Sequence, residues 1–459
     1  MHTLQRIVIG LLAVSAACAN DRRAAHDSTV PEVAPQGWLC ANSTTASDLE
    51  PEQLSALLQD IGEAKIVVLG ETHEDGAAYR VKAALVRELH QKLGFRVIAW
   101  EMPFFDGVQA ERSLESDLPG REVMSRVGDL WSHSAEVEEL ISYVSATRHT
   151  SNPLRLFGFD CKFGLVAQDL KNELLNELIK FFYVDGVWLA PREALLVVAQ
   201  WLRSGAGTSL NEKLNIEPMP SVLLESTFDT PVSSLNVADA VDELLFALSS
   251  QRTEIETRHG HLQGKLVERM LLLVRMSVQW LETAENATAS TERGVLRRSI
   301  RERAMAETIL WYMNEVYHGE KIIVWTAGIH GLKESPLEPQ GSMQSSSFTP
   351  MTGLLRSQLG SAVYAIGFTA SGGEVGNADS TQVAPVPMPP AAQGSLERWF
   401  LNQKISSAVI MMRRLPRDHW LKSPTIASIY EGAPIRTYWW KLIDSVVFYP
   451  AHMPWTPIR

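Results

Sequence analysis

The chain has 459 residues, 45% hydrophobic and 21% charged, so it can bury a large core and is neither disordered nor fibrous. Its 42 basic against 53 acidic residues leave a formal charge of -11, the wrong balance for neutralising a phosphate backbone. Nucleic acid is therefore not an expected partner.

Arg6, the apolar run Ile7 to Val14 and the small residues Ser15-Ala16-Ala17-Cys18 have the order of a secretory signal, too short to span a bilayer. Residues 1–19 read as a signal peptide and the protein as exported. Cys18 after Ala16-Ala17 resembles a bacterial lipobox, which leaves two outcomes. One is lipidation of Cys18, giving a periplasmic or outer-membrane lipoprotein tied to the membrane only by that lipid; the other is ordinary cleavage after Ala19. Residues 20–47, polar and proline-bearing, read as a tether before a folded unit over 48–459. Cys40 and Cys161 remain, either bridged in an oxidising compartment or as two unpaired small apolar residues.

A helix is expected over Asp48 to Gly62, capped by Ser47 or Asp48, and a strand over Lys65 to Leu69. Val81, Leu85 and Leu89 recur every fourth residue in a helix from Ala77 to Gln91, and Val97 to Trp100 is the next strand, completing a βαβ module. Residues 133–150 read as a helix leading to a strand at Leu154. From about 165 to 318 the pattern is almost wholly helical, an insertion expected to form a lobe beside the sheet; in its last helix Met305, Ile309, Tyr312, Met313 and Val316 follow helical spacing. Ile322 to Trp325 is a strand, Lys333 to Thr352 a long loop of the kind that forms lids, and Val375 to Gly394 a second loop. Ala362 to Thr369, Val409 to Arg413 and Ser445 to Tyr449 are strands. The fold class is α/β: a mostly parallel central sheet flanked by helices, with a helical lobe.

Four apolar runs end in ionisable residues: Glu71 and His73, Glu101, Asp160, and His330. In a parallel sheet, strand C-terminal ends meet at one cleft, so these side chains are expected together. Glu71 and His73 can aim at one point, where the imidazole takes a proton from water and the carboxylate orients it; a structural cap is the alternative. Glu101 follows Arg96 to Trp100, where an unpaired charge would be costly, so it lies in a cleft or pairs with Lys82, Arg80 or Arg87. Asp160 is a site carboxylate or a cap, and Arg301 is available for contacts. His73, His330, Glu71 and Glu101 could also form a metal set, although no short metal motif such as H-E-x-x-H is present. Neither a G-x-S-x-G elbow nor a Walker loop occurs.

In order and spacing these blocks resemble the erythromycin esterase-like family from about Leu54 to Tyr449. They are Val68-Leu69-Gly70-Glu71-Thr72-His73, Gly94 to Glu101, Phe157-Gly158-Phe159-Asp160, Arg301 to Ala306 with Trp311, and Ile323 through His330. The resemblance implies hydrolysis of an ester or lactone in a small molecule, with no required cofactor. Water would be activated by His73, assisted by Glu71 and Glu101, with His330 close by and Lys82, Asp160 and Arg301 at the substrate. The chain departs from the family in three places. One residue, not two, separates Glu71 from His73; Lys82 replaces an arginine; and Ala327 and Gly328 replace a histidine and an asparagine, which argues against macrolide opening and leaves other esters or amides open. The compact G-E-x-H and Glu101-Met102 are also similar to ChaN-like haem-binding lipoproteins and to metal-dependent Tiki-type proteases. These similarities imply haem or a divalent metal instead.

Overall fold

The computed structural model describes residues 38–41, 49–116, 118, 120–128, 130–162, 168–203, 236–283, 292–336, 348–377 and 384–458. The expected signal peptide, Cys18, most of the tether, Ser47 and Asp48 lie outside the described residues. Eight strands form the main sheet: β1 (Trp38–Ala41), β2 (Ile66–Glu71), β3 (Phe95–Pro103), β4 (Arg155–Asp160), β5 (Lys321–Ala327), β6 (Val363–Ala370), β7 (Ser407–Met411) and β8 (Ser445–Tyr449). Their order is β1-β7-β8-β6-β2-β5-β3-β4. From β8 to β4 every neighbouring pair is parallel, and β7 pairs antiparallel with both β8 and β1. The mostly parallel α/β architecture is as expected from the sequence.

The central strands are apolar along their length because both faces are covered, as parallel sheets require. Alternation divides the core. Ile66 and Val68 face the cluster built with the helices from Gln168 to Glu315, whereas Val67 and Leu69 face the cluster built with Gly76–Leu93 and Ala135–Thr147. The helical stretch thus lies on one sheet face, as Gln168–Phe182, Arg192–Arg203, Val237–Ser250, Arg252–His259, His261–Glu282 and Glu292–Glu315.

Several elements escaped the sequence reading. The edge strand β1 is one, the helix Phe104–Glu115 another, and a hairpin of Thr425–Tyr430 with Ala433–Thr437 a third. The expected lid begins as a loop, but its end already belongs to the helix Met351–Leu359. Phe104–Glu115 reaches the sheet through paired glycines: a Cβ on Gly107 would sit 1.8 Å from the Gly158 amide nitrogen.

The bridge considered between Cys40 and Cys161 is ruled out. Cys40 lies in β1 and Cys161 follows β4, the two opposite edges of the sheet. Seven strand spacings separate them, roughly 30 Å, far beyond disulfide reach. Both are free, and burial pushes the Cys161 thiol up to about 12.

Candidate active site

β2 ends at Glu71, which has no exposed surface, and the chain then turns through Thr72 to Asp75 into the helix Gly76–Leu93. The turn is held from several sides. Glu74 adopts φ +64° while its amide donates to the Tyr79 hydroxyl at 2.8 Å, and Asp75 caps the helix by accepting from the Ala77 amide at 3.1 Å. Asp75 Oδ2 also meets His452 Nδ1 at 2.6 Å and accepts from the Tyr449 hydroxyl, while the Gly76 amide donates to the Met453 carbonyl at 2.7 Å. The segment 371–376, whose short strand Gly373–Val375 pairs with Val386–Met388 inside the stretch expected to be a loop, adds the Gly376 amide, 2.8 Å from the Glu74 carbonyl.

His73 is fixed at the mouth of this turn. Its Nδ1 lies 3.2 Å from Glu71 Oε1, its Nε2 3.8 Å from Glu101 Oε1, and Trp131 packs edge-on against the ring with centroids 5.6 Å apart. A quarter of the side chain is exposed. Burial pulls its pKa down, but Glu101 and then Glu431 outweigh this and hold it above the ordinary imidazole value. Beneath it, the buried Lys82 ammonium contacts Glu71 Oε2 and sits 4.0 Å over the Trp325 ring.

Glu101, near the end of β3, is the centre of the cluster. Its Oε2 accepts from the Thr326 hydroxyl at 2.8 Å and the Ala327 amide at 2.7 Å, and its Oε1 accepts from Arg301 Nη2 at 2.7 Å. His330 Nε2 lies 3.3 Å from that same oxygen. Burial would raise the Glu101 pKa, yet the His330 and His73 imidazoles bring it well below the usual carboxylate range. Its cationic partner is Arg301; Arg80, Arg87 and Lys82, the alternatives named from sequence, pair instead with Glu136, Glu139 and Glu71.

Arg301 projects from Glu292–Glu315 and joins the cluster. Its Nε and Nη2 bond to Asp160 at 3.1 and 2.7 Å, and its Nη1 is 2.9 Å from His330 Nε2. A guanidinium only donates, so His330 Nε2 accepts and Nδ1–H donates to Glu302 Oε1 at 2.6 Å. Burial lowers the His330 pKa, but Glu302 and Glu101 more than offset it. On protonation, Nε2–H would turn to Glu101 and lose the Arg301 bond.

Glycines allow this approach. A Cβ on Gly70 would meet Gly328 Cα at 3.2 Å, and one on Gly331 would meet Gly70 Cα at 3.0 Å, so the short helix Gly328–Gly331 lies against the end of β2 and delivers His330 to Glu101.

All seven residues expected at the site, Glu71, His73, Lys82, Glu101, Asp160, Arg301 and His330, therefore converge. Lys82 has no exposed surface, so the substrate contact expected of it is not open in this structure. Arg301 and Asp160 are turned into the network. Two further residues were missed. Glu302 holds His330 and accepts from the Met351 amide at 2.7 Å; it was legible, since it shares the apolar stripe of Met305, Ile309 and Tyr312. Glu431 sits at the tip of the unpredicted hairpin with φ +49° and accepts from the Ile329 amide at 3.4 Å; burial raises its pKa, against the pull of His73.

As a metal set, His73, His330, Glu71 and Glu101 do not fit. Arg301 already holds Glu101 Oε1 and His330 Nε2, so a divalent cation would face a fixed positive charge in place of free donors. Among the described residues no group of three or more His, Cys, Asp or Glu side chains is arranged to hold a metal ion.

The fold and site define an α/β protein with an acid–base cluster at the C-terminal ends of parallel strands. The erythromycin esterase family model matches residues 90–437, and the chain belongs to that family. It is 24% identical over 379 residues to "Putative hydrolase YbfO" of Bacillus subtilis (strain 168), covering 78% of this chain and 76% of that one. Over 393 residues it is 20% identical to Erythromycin esterase type II of Escherichia coli, covering 80% and 85%. A solved mutant of erythromycin esterase EreC in its open conformation shares the fold, with TM-score 0.63 and 16% identity over 91% of this chain and 98% of that one. The family is one of hydrolases acting on small molecules.

Proposed function

We propose that the protein hydrolyses an ester or lactone bond of a small molecule by general-base activation of water at His73. The observation that carries this reading is the contrast between the two imidazoles. His330 has 3% of its surface exposed and both nitrogens engaged, whereas His73 reaches solvent and lies between two carboxylates.

Glu71 holds Nδ1–H and fixes the tautomer, leaving Nε2 to take the proton from water. Glu101, ionised and gripped by three donors, stabilises the imidazolium as it forms. Lys82, Arg301, Asp160 and Glu302 keep these carboxylates and His330 in place. Glu431, a carboxyl whose pKa burial raises, is the proton donor to the departing alkoxide. The departures at Ala327 and Gly328 favour a substrate other than a macrolide. Export through residues 1–19, with or without a lipid on Cys18, would put this chemistry in the periplasm.

The test is hydrolysis of p-nitrophenyl acetate, a simple lactone and an acyl anilide by the parent and His73→Ala. Turnover of an ester or lactone should fall by about 10²- to 10⁴-fold in the variant with its melting transition retained. Equal turnover by the two proteins would remove His73 as the base.

A further inference from the structure

A cavity of about 620 Å³ lies apart from this site between Lys333, Arg356, Arg413, Lys422, Trp440 and Lys441, with Asp444 at its base and the exposed Glu334 at its edge. It is built where the chain leaving His330 meets the start of β8: the Lys333 amide donates to the Leu442 carbonyl at 2.8 Å, and the Asp444 amide to the Ala365 carbonyl at 2.8 Å.

Five cations line this cavity against two carboxylates. Asp444, 1% exposed, is approached by three of them: Lys333 Nζ at 3.0 Å, Arg356 Nη1 at 3.6 Å and Arg413 Nε at 3.9 Å. It is further tied to the Ala365 amide at 2.9 Å. One carboxylate cannot neutralise three cations; Arg413 also donates from Nη2 to the Asp60 carbonyl at 2.8 Å and lies 4.6 Å over the Tyr364 ring, but its second carboxylate contact is 3.8 Å, to an Asp60 that also binds Arg414 at 2.6 Å. Lys422 donates to the Met412 carbonyl at 2.8 Å and lies 4.7 Å over the Trp440 ring; Lys441 lies 5.8 Å from the same ring. Among the described residues neither lysine has a carboxylate partner. Burial pulls the Lys333 pKa down against Asp444, and Arg356 and Arg413 pull it further, as a surplus of positive charge would.

Convergent cations with unspent donors in a concave, aromatic-edged pocket suit a compact oxyanion of high charge density. We infer that this cavity binds a phosphate group, either as free inorganic phosphate or as the phosphate of a small monoester, with Lys422 and Lys441 as its principal ligands. Neither the proposed base nor any group of the catalytic cluster is used, so the inference does not depend on the hydrolytic reading.

The experiment titrates the full chain with inorganic phosphate and with phenyl phosphate, following tryptophan fluorescence and calorimetric heat, against sodium chloride at matched ionic strength. Lys441→Ala, Lys422→Ala and Trp440→Phe are compared after their melting transitions confirm folding. Saturable binding of phosphate, weakened about tenfold by each lysine change and with its fluorescence signal lost in Trp440→Phe, supports the site. Tighter binding of phenyl phosphate identifies a monoester as the better ligand; equal binding identifies the free ion. The inference is overturned if chloride gives the same response, if neither probe saturates, or if the lysine variants bind as the parent does.

Discussion

Arg301 Nη2 donates to Glu101 Oε1 over 2.7 Å, and through this one bond the lobe helix Glu292–Glu315 grips the sheet at the oxygen that both imidazoles face. A lysine could reach one of these partners but not three. Arg301→Lys should therefore leave Asp160 or Glu101 buried and poorly paired, destabilising the protein by about 3 kcal/mol in urea unfolding. An unchanged midpoint and slope would show that the fork carries no stability.

The pH dependence follows from the sign of the His73 shift. A base must be unprotonated, and the folded pKa lies above the ordinary value of about 6.5. Turnover should accordingly rise with pH with a midpoint above that value. Glu101→Gln removes a carboxylate that raises it, so the midpoint, or the His73 ring shift followed by NMR, should move down. Movement upwards would contradict the assigned cause.

Acid stability is a separate readout. Glu101 has a depressed pKa when folded, so its contribution is fully present above the unfolded carboxylate value of about 4.3 and is lost as pH falls towards the folded one. Melting temperature measured from pH 6 to pH 3 should drop less steeply in Glu101→Gln than in the parent, although the variant starts lower. Parallel curves would assign the acid loss to other groups.

If Glu431 gives a proton to the leaving group, Glu431→Gln should discriminate between substrates. p-Nitrophenolate departs without help, whereas an alkoxide does not. The variant should hydrolyse p-nitrophenyl acetate at nearly the parent rate and an alkyl ester or lactone about a hundredfold more slowly. Equal losses on both would reduce Glu431 to a structural role.

Glycine substitutions should separate close approach from open space. In Gly158→Ala the new Cβ would lie 2.3 Å from the Pro103 carbonyl oxygen, which neither backbone can yield cheaply, and a loss of about 3 kcal/mol is expected. Gly120→Ala, where the nearest atom is Ser142 Oγ at 3.8 Å, should be neutral or slightly stabilising.

The cluster was legible because parallel strands announce themselves as apolar runs and because each of the four runs at the site ends in a charge. Ser445–Tyr449, which ends in no charge, was found with its observed bounds from its apolar run alone. β1 was missed since its four residues, Trp38–Ala41, are too short to show a period. The hairpin bearing Glu431 was missed through its turn: Glu431-Gly432, with φ +49° and +70°, is a turn signal whose first residue is not one of the usual turn formers. Glu302 was overlooked because a carboxylate between two arginines reads as a solvated helix face. The pairing of Arg301 with Asp160 and Glu101, 141 and 200 positions away, depends on tertiary placement that no local pattern encodes.

The turn that aims His73 is fastened by His452 and Met453, with Asp75 and His452 lying 377 positions apart. Closing a loop of that length costs more entropy than one such contact repays, so the clasp depends on the intervening sheet being in place. A partly folded chain, or one nicked ahead of this clasp, would thus hold the imidazole loosely and do little hydrolysis. Competence for the reaction would arrive together with near-completion of the whole fold, so that unfinished molecules stay chemically silent.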